Sequence, residues 1–192
     1  MGDNESELDA VMQKATSECD IVVTSGGVSM GELDLVKPYI EAKGTVFFGR
    51  INMKPGKPTT FGNLNKALVF ALPGNPVSAF VTAHLFVVLS ARLLGGQIDT
   101  AQDPTLTVQL IPRNVKVDPE RPEYHRVVIV QDSTSGKLFA FSTGSQLSSR
   151  LLSAKSSNGF AILPATADVY HCSGTTKVLL VGPLVLKSPT EV

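Results

Sequence analysis

The sequence predicts an α/β half followed by an all-β half that closes into a small barrel or sandwich. Three observations carry this reading. Apolar runs in residues 1–95 follow the order helix, strand, helix, strand, strand, helix. The stretch from Gly95 to Pro104, with Gly95-Gly96 and Asp103-Pro104 at its ends, breaks that pattern. Beyond it come short strand-like runs separated by turn residues. The expected division is an α/β part at 1–97, a linker at 98–103 and a β-barrel at 104–192. With 192 residues there is room for one large domain or two small ones.

In chain order, Leu8, Val11, Met12 and Ala15 recur at i, i+3, i+4, i+7 and predict an amphipathic helix over 5–18. Ile21 to Thr24 is a β-branched strand. The loop Ser25 to Asp34 holds three glycines and two serines, a composition like a phosphate loop, but without the Walker or dinucleotide spacing. Leu33, Val36 and Ile40 mark a second helix that Pro38 is expected to kink or shorten. Thr45 to Phe48 reads as a strand, and Phe61 to Leu72 as a hairpin turning near Gly62-Asn63. In the second half, strands are expected at Leu106–Ile111, Tyr124–Val130, Lys137–Phe141, Phe160–Leu163 and Lys177–Val181. A polar stretch from Ser142 to Asn158 interrupts them.

The turn Leu72-Pro73-Gly74-Asn75-Pro76-Val77-Ser78-Ala79 joins a buried strand to a long apolar helix. Asn75 suits the N-cap and Pro76 the first helical position. Gly74 permits close backbone approach. The amides of Val77, Ser78 and Ala79 are expected to be open to an anion. The run from Val77 to Leu94 is long enough to span a bilayer, but it carries Ser78, Thr82, His84, Ser90 and Arg92. It is therefore read as a core helix covered on most sides, with no membrane insertion.

Lys plus Arg equals Asp plus Glu, 17 each, so no excess charge points to nucleic acid. Cys19 and Cys172 lie outside any Cys-x-x-Cys pattern and no secretory signal opens the chain, which suits reduced thiols in the cytoplasm. No Gly-x-Ser-x-Gly elbow is present. His125 has no second His or Cys at metal-site spacing. Arg126 is expected to face outward from its strand.

Three loops, 24–34, 53–58 and 72–79, follow strands of the α/β half, where ligands of such sheets bind. They bring backbone amides, hydroxyls, Asp34, the ammonium groups of Lys54 and Lys57, and Ser78. Basic groups with one carboxylate suit an anion and a metal ion, the carboxylate holding Mg²⁺ and the lysines the oxyanion.

The segments TSGGVSMGELD (24–34), KPGKP (54–58), LPGNPVSA (72–79), EYHR (123–126) and STGSQLSSRLLS (142–153), with an opening Gly-Asp-Asn, resemble the C-terminal half of the molybdopterin molybdenumtransferases, the MoeA and gephyrin E-domain type. The resemblance covers essentially the whole chain. It implies a partial MogA-like three-layer molybdopterin-binding domain followed by a β-barrel. It also implies insertion of molybdate into adenylated molybdopterin with release of AMP. Carried over by motif, Lys54, Lys57, Pro58, Ser78, Arg126 and Ser148 would surround molybdate, with Ser149 a substitute for Ser148. Ser25, Gly26, Gly27, Ser29, Gly74 and Asn75 would hold the pterin or phosphate. Asp34, with Asp3, would bind Mg²⁺, and Asp34, Lys54 and Lys57 would be catalytic. The family dimerises through N-terminal segments absent here, so the chain is expected to be part of a longer homodimeric protein. Two other readings are the adenylyltransferase step and a gephyrin-like receptor scaffold.

Overall fold

The computed structural model describes residues 5–26, 35–167 and 169–187. The chain divides into two units, Met1–Ile51 with Gly56–Gly95, and Asn52–Pro55 with Gly96–Val192.

In the first unit α1 (Glu5–Glu18), β1 (Ile21–Ser25), α2 (Val36–Lys43), β2 (Thr45–Gly49), β3 (Thr60–Leu64) and β4 (Ala67–Leu72) build one sheet and its cover. Strand order is β1-β4-β3-β2, with β1 parallel to β4 and the other pairs antiparallel. Leu8 and Met12 of α1 and Val36 and Ile40 of α2 pack against Val22, Leu64, Val69 and Ala71. Each such side chain contributes about 1.5–3 kcal/mol by leaving water. The buried stripe of α1 is Leu8, Met12 and Thr16, at i, i+4, i+8, whereas Val11 stands exposed. Thr16 is tolerated there because its hydroxyl donates to the Met12 carbonyl at 2.9 Å. Pro38 does not break α2. It sits in the first turn, where its missing N–H has no intrahelical partner to lose.

The β3–β4 turn falls at Asn65-Lys66, not at Gly62-Asn63. Asn65 takes the left-handed conformation, with φ of 54°. Gly62 is instead a strand residue opposite Val69, and a Cβ there would meet the Thr45 carbonyl oxygen at 2.4 Å.

After β4 the chain turns into α3 (Pro76–Thr82), a π-helical stretch at Ala83–Val88, and α4 (Leu89–Leu94). Asn75 has extended backbone angles and its side chain accepts from the amides of Val77 and Ser78. Only the first turns are deeply covered, by burial of Val77, Ser78, Val81 and Thr82. No residue of 83–94 is fully buried. The reading of a helix covered on most sides is therefore corrected. The early turns pack on β4, and beyond them Phe86 meets the exposed Phe48 ring at 5.6 Å. By length and composition this helix, 19 residues with mean hydropathy 1.8 and 22% buried, could cross a membrane.

The second unit holds β5 (Thr105–Ile111), β6 (Asn114–Lys116), β7 (Glu123–Asp132), β8 (Leu138–Ser142), α5 (Leu152–Lys155), β9 (Gly159–Leu163), β10 (Val169–His171), β11 (Thr176–Leu180) and β12 (Val185–Lys187). The order β7-β8-β5-β11-β9 closes on itself because β9 also pairs with β7. The five expected strands are the five that close this barrel. Strand β12 adds to β7 outside the ring, and β6 with β10 forms a separate pair. Val108, Leu110, Val127, Ile129, Ala140, Leu163 and Val178 are central to its core. Gly159 is required at the β7–β9 contact, since a Cβ would lie 2.3 Å from Ile129 Cδ1.

Replacing Asn75 by Ala removes the side chain that caps α3. We expect a loss of about 1 kcal/mol in urea unfolding, with most of it recovered by Asn75→Asp.

Candidate functional site

In the first unit, the carboxyl ends of β1 and β4 lie side by side, Ser25 opposite Leu72. Gly26, with φ of 90°, donates its amide to the Leu72 carbonyl at 3.1 Å. A Cβ on Gly74 would stand 3.2 Å from Gly26 Cα, so the two glycines let the loops close on each other. The Ser25 hydroxyl donates to the Pro73 carbonyl at 3.4 Å. Ser25, Gly26, Gly74, Asn75 and Ser78 therefore gather at one end of the sheet. The amides at the helix start are not open to an anion, however. Asn75 Oδ1 accepts from Val77 at 3.1 Å and Ser78 at 3.4 Å, and the Ala79 amide bonds the Asn75 carbonyl at 2.9 Å. The capping side chain has taken the place an anion would fill.

Lys57 is exposed, and its carbonyl accepts from the Ile51 amide at 2.8 Å. Pro58 follows it half-buried, ahead of β3. Lys54, in contrast, belongs to the second unit. Its amide donates to the Pro122 carbonyl at 2.9 Å, and its carbonyl accepts from Tyr124 at 2.8 Å, so it lies parallel against Glu123. Its ammonium is 3.1 Å from Glu123 Oε2 and 3.8 Å from Asp118 Oδ2.

Glu123 is fully buried and bonds in three directions. Besides Lys54, it accepts from the Asp118 amide at 3.2 Å, and its Oε1 is 3.0 Å from His125 Nδ1. Burial pushes its carboxyl up, but the His125 hydrogen bond and the charge of Lys54 prevail and hold it below the ordinary value. His125 Nε2 is 2.7 Å from the Ser142 hydroxyl. The bond from Arg121 to Asp118, 2.6 Å from Nη2 to Oδ2, leads the effects that bring Asp118 to about 2. The Glu120 and Arg121 amides assist against desolvation.

Arg126 lies on the face of β7 opposite Val127 and Ile129, as strand alternation requires. It is nevertheless completely buried, because the stretch after β8 folds over it. Its amide donates to Gln146 Oε1 at 2.7 Å and its Nε to Ser153 Oγ at 3.1 Å. Its carbonyl accepts from the Thr143 amide and hydroxyl and from Gln146 Nε2. Nη1 and Nη2 have no hydrogen-bond partner among the described residues. Burial lowers the guanidinium to about 10, against the raising effect of Glu123. Ser148 and Ser149 are exposed in the loop that Gln146 and Ser153 anchor to Arg126 on either side.

Residues 1–118 match the family described as a probable molybdopterin binding domain, and residues 110–172 match the MoeA C-terminal region, domain IV. The chain belongs to the molybdopterin-binding domain family. It is 42% identical to the gephyrin of Dictyostelium discoideum, covering 95% of this chain and 28% of that protein. It is 32% identical to the molybdopterin molybdenumtransferase of Bacillus subtilis, covering 94% of this chain and 42% of that protein. The crystal structure of the molybdopterin biosynthesis MoeA protein from Pyrococcus horikoshii is similar at TM-score 0.70 and 27% identity, covering 94% of this chain and 42% of that one. This molybdopterin-binding family member thus spans less than half the length of these relatives.

Asp3, Gly27, Ser29 and Asp34 lie outside the described residues. Among the described residues no group of three or more His, Cys, Asp or Glu could hold a metal ion. Sequence reasoning missed Glu123, Asp118, Gln146 and Ser153. Glu123 was legible only as the first letter of EYHR, and nothing local signals that its carboxylate meets Lys54, 69 positions earlier in the chain.

Because the folded Asp118 carboxyl titrates at about 2, below the unfolded value near 4, its stabilising contribution is complete above about pH 4 and is lost as pH falls toward 2. We expect Asp118→Asn to remove that segment of the pH dependence, read as urea midpoints at pH 2–5. Glu123→Gln, which leaves His125 without a carboxylate and Lys54 with only the more distant Asp118, is expected to cost about 2–3 kcal/mol at pH 7.

Proposed function

We propose that this chain supplies the pterin-binding and barrel parts of an enzyme that inserts molybdate into the dithiolene of adenylated molybdopterin and releases AMP. The observation that carries this reading is Arg126. A buried guanidinium with two nitrogens unpartnered among the described residues is costly unless an anion meets it. Molybdate is a dianion, and the planar N–H fork of an arginine suits an oxyanion. Family membership supports the molybdopterin side of the reaction.

The residues bind and orient, and no covalent bond to the protein is needed. Arg126 faces the oxyanion and Ser148, or Ser149, offers a hydroxyl from the loop held on Arg126. Lys57, Pro58 and Ser78 keep the molybdate role that the resemblance implies. Lys54 contributes its charge from within the Glu123 and Asp118 pairings. Ser25, Gly26, Gly74 and Asn75, with Gly27 and Ser29, take the pterin or phosphate end. Here Asn75 acts through its side chain, since it occupies the helix amides itself. Mg²⁺ at Asp34 and Asp3 belongs to the same proposal through the resemblance, and none of these steps uses it. A cytoplasmic, homodimeric full-length protein is proposed with it, and the two free cysteines support the reducing compartment.

Arg126→Met separates binding from stability. Molybdate affinity, measured by titration calorimetry, is expected to fall about ten- to a hundredfold. The unfolding midpoint is expected to hold or rise, because a buried unpaired charge is gone. Unchanged molybdate affinity would remove Arg126 from the site. Lys57→Ala is expected to weaken molybdate by a similar factor and leave molybdopterin affinity unchanged.

A further inference from the structure

The hydrogen-bonded series Glu123–His125–Ser142 enters the function proposed above only through the pairing of Glu123 with Lys54. Two of its members, His125 and Ser142, line a cavity of about 590 Å³ in the second unit, with Lys54, Lys116 and Gln146 also in its wall. Glu123 Oε1 stands 3.0 Å from His125 Nδ1, and His125 Nε2 stands 2.7 Å from Ser142 Oγ. An ionised carboxylate can only accept, so Nδ1 carries the proton and the neutral ring leaves Nε2 as an acceptor. The Gly144 amide donates to Ser142 Oγ at 3.2 Å, which leaves the hydroxyl hydrogen to point at Nε2. His125 and Glu123 are almost wholly buried, whereas Ser142 is half-exposed toward the cavity. A buried carboxylate, a buried imidazole and an accessible hydroxyl in hydrogen-bond sequence is the arrangement that activates a serine.

We propose that Ser142 is a nucleophile for small anionic acyl esters, with His125 as its base and Glu123 as the residue that orients His125. Ser142 Oγ attacks the ester carbonyl carbon as its proton passes to His125 Nε2. The carbon–oxygen bond to the alcohol then breaks, and the alcohol leaves with that proton. Water repeats the attack on the acyl-serine, giving the carboxylate and restoring the hydroxyl. The exposed ammonium of Lys116 in the same wall, where that of Lys54 is shared between Glu123 and Asp118, selects an ester that carries negative charge. The carboxylate of Asp118 in that wall is already bound by Arg121.

The experiment is incubation of the full chain with p-nitrophenyl hemisuccinate, followed by mass spectrometry of the intact and digested protein. We expect a burst of about one p-nitrophenol per chain and a succinyl adduct on the peptide carrying Ser142. Ser142→Ala, with circular dichroism matching the wild type, is expected to abolish both. His125→Gln is expected to slow the burst about a hundredfold or more. His125 is buried, so if that variant does not fold, Ser142→Ala and the adduct position decide alone. An adduct elsewhere, no adduct, or a burst unchanged in Ser142→Ala overturns the proposal.

Discussion

The second unit is organised by one buried carboxylate. Glu123 has no contact with water, so its charge must be met entirely by protein groups. Three groups do this: the Lys54 ammonium, the Asp118 amide and the His125 ring. Each fixes a different part of the chain. Lys54 brings residues 52–55 alongside β7, Asp118 holds the turn that leads into β7, and His125 carries the constraint across to Ser142 on β8. The hydrophobic core closes the barrel, but it is nondirectional. The charged groups set which segments stand at its mouth.

Arg126 poses the opposite problem three residues along. Glu123 has donors on both of its oxygens, while Arg126 is buried with its fork unmatched among the described residues. The two lie on opposite faces of β7, as their odd spacing requires. The inner row continues through His125 into Val127 and Ile129, and the outer row is roofed by the stretch from Thr143 to Ser153. That roof bonds mainly to the backbone of Arg126 and to its Nε, and so leaves the two terminal nitrogens without a hydrogen-bond partner among the described residues.

In the first unit the glycine pair does comparable work by absence. A side chain on Gly74 would crowd Gly26, and Gly26 itself takes the left-handed φ of 90° that glycine allows. This brings the ends of the parallel strands β1 and β4 together, the place where an α/β sheet receives a ligand. Asn75 then decides the chemistry of that place. By capping the helix with its own oxygen it cancels the open amides and leaves hydroxyls and backbone around Gly26 and Gly74 as the polar surface.

Much of this was legible in the sequence because it is local. Short strand-like runs between turn residues located the five barrel strands, and Asn75-Pro76 located the start of α3. The apolar runs of β1 and β4 and the glycines that follow them located the end of the sheet where Gly26 and Gly74 meet. The expectations that failed each depended on a neighbour distant in sequence. Gly62 reads as a turn residue until Thr45 is seen beside it. Val11 fits a helix stripe, but it lies on the side that α1 leaves exposed. Lys54 and Lys57 read as one basic loop, but Lys54 pairs with carboxylates near residue 120. Arg126 reads as a surface residue, but a loop some twenty residues later covers it. Backbone propensity and side-chain period are properties of a few adjacent residues, so the sequence by itself determined where elements begin and which family they compose. Burial and charge pairing depend on which atoms meet after the chain has folded, so only the tertiary structure decided that Glu123 is satisfied, that Arg126 is not, and that Asn75 closes its own helix.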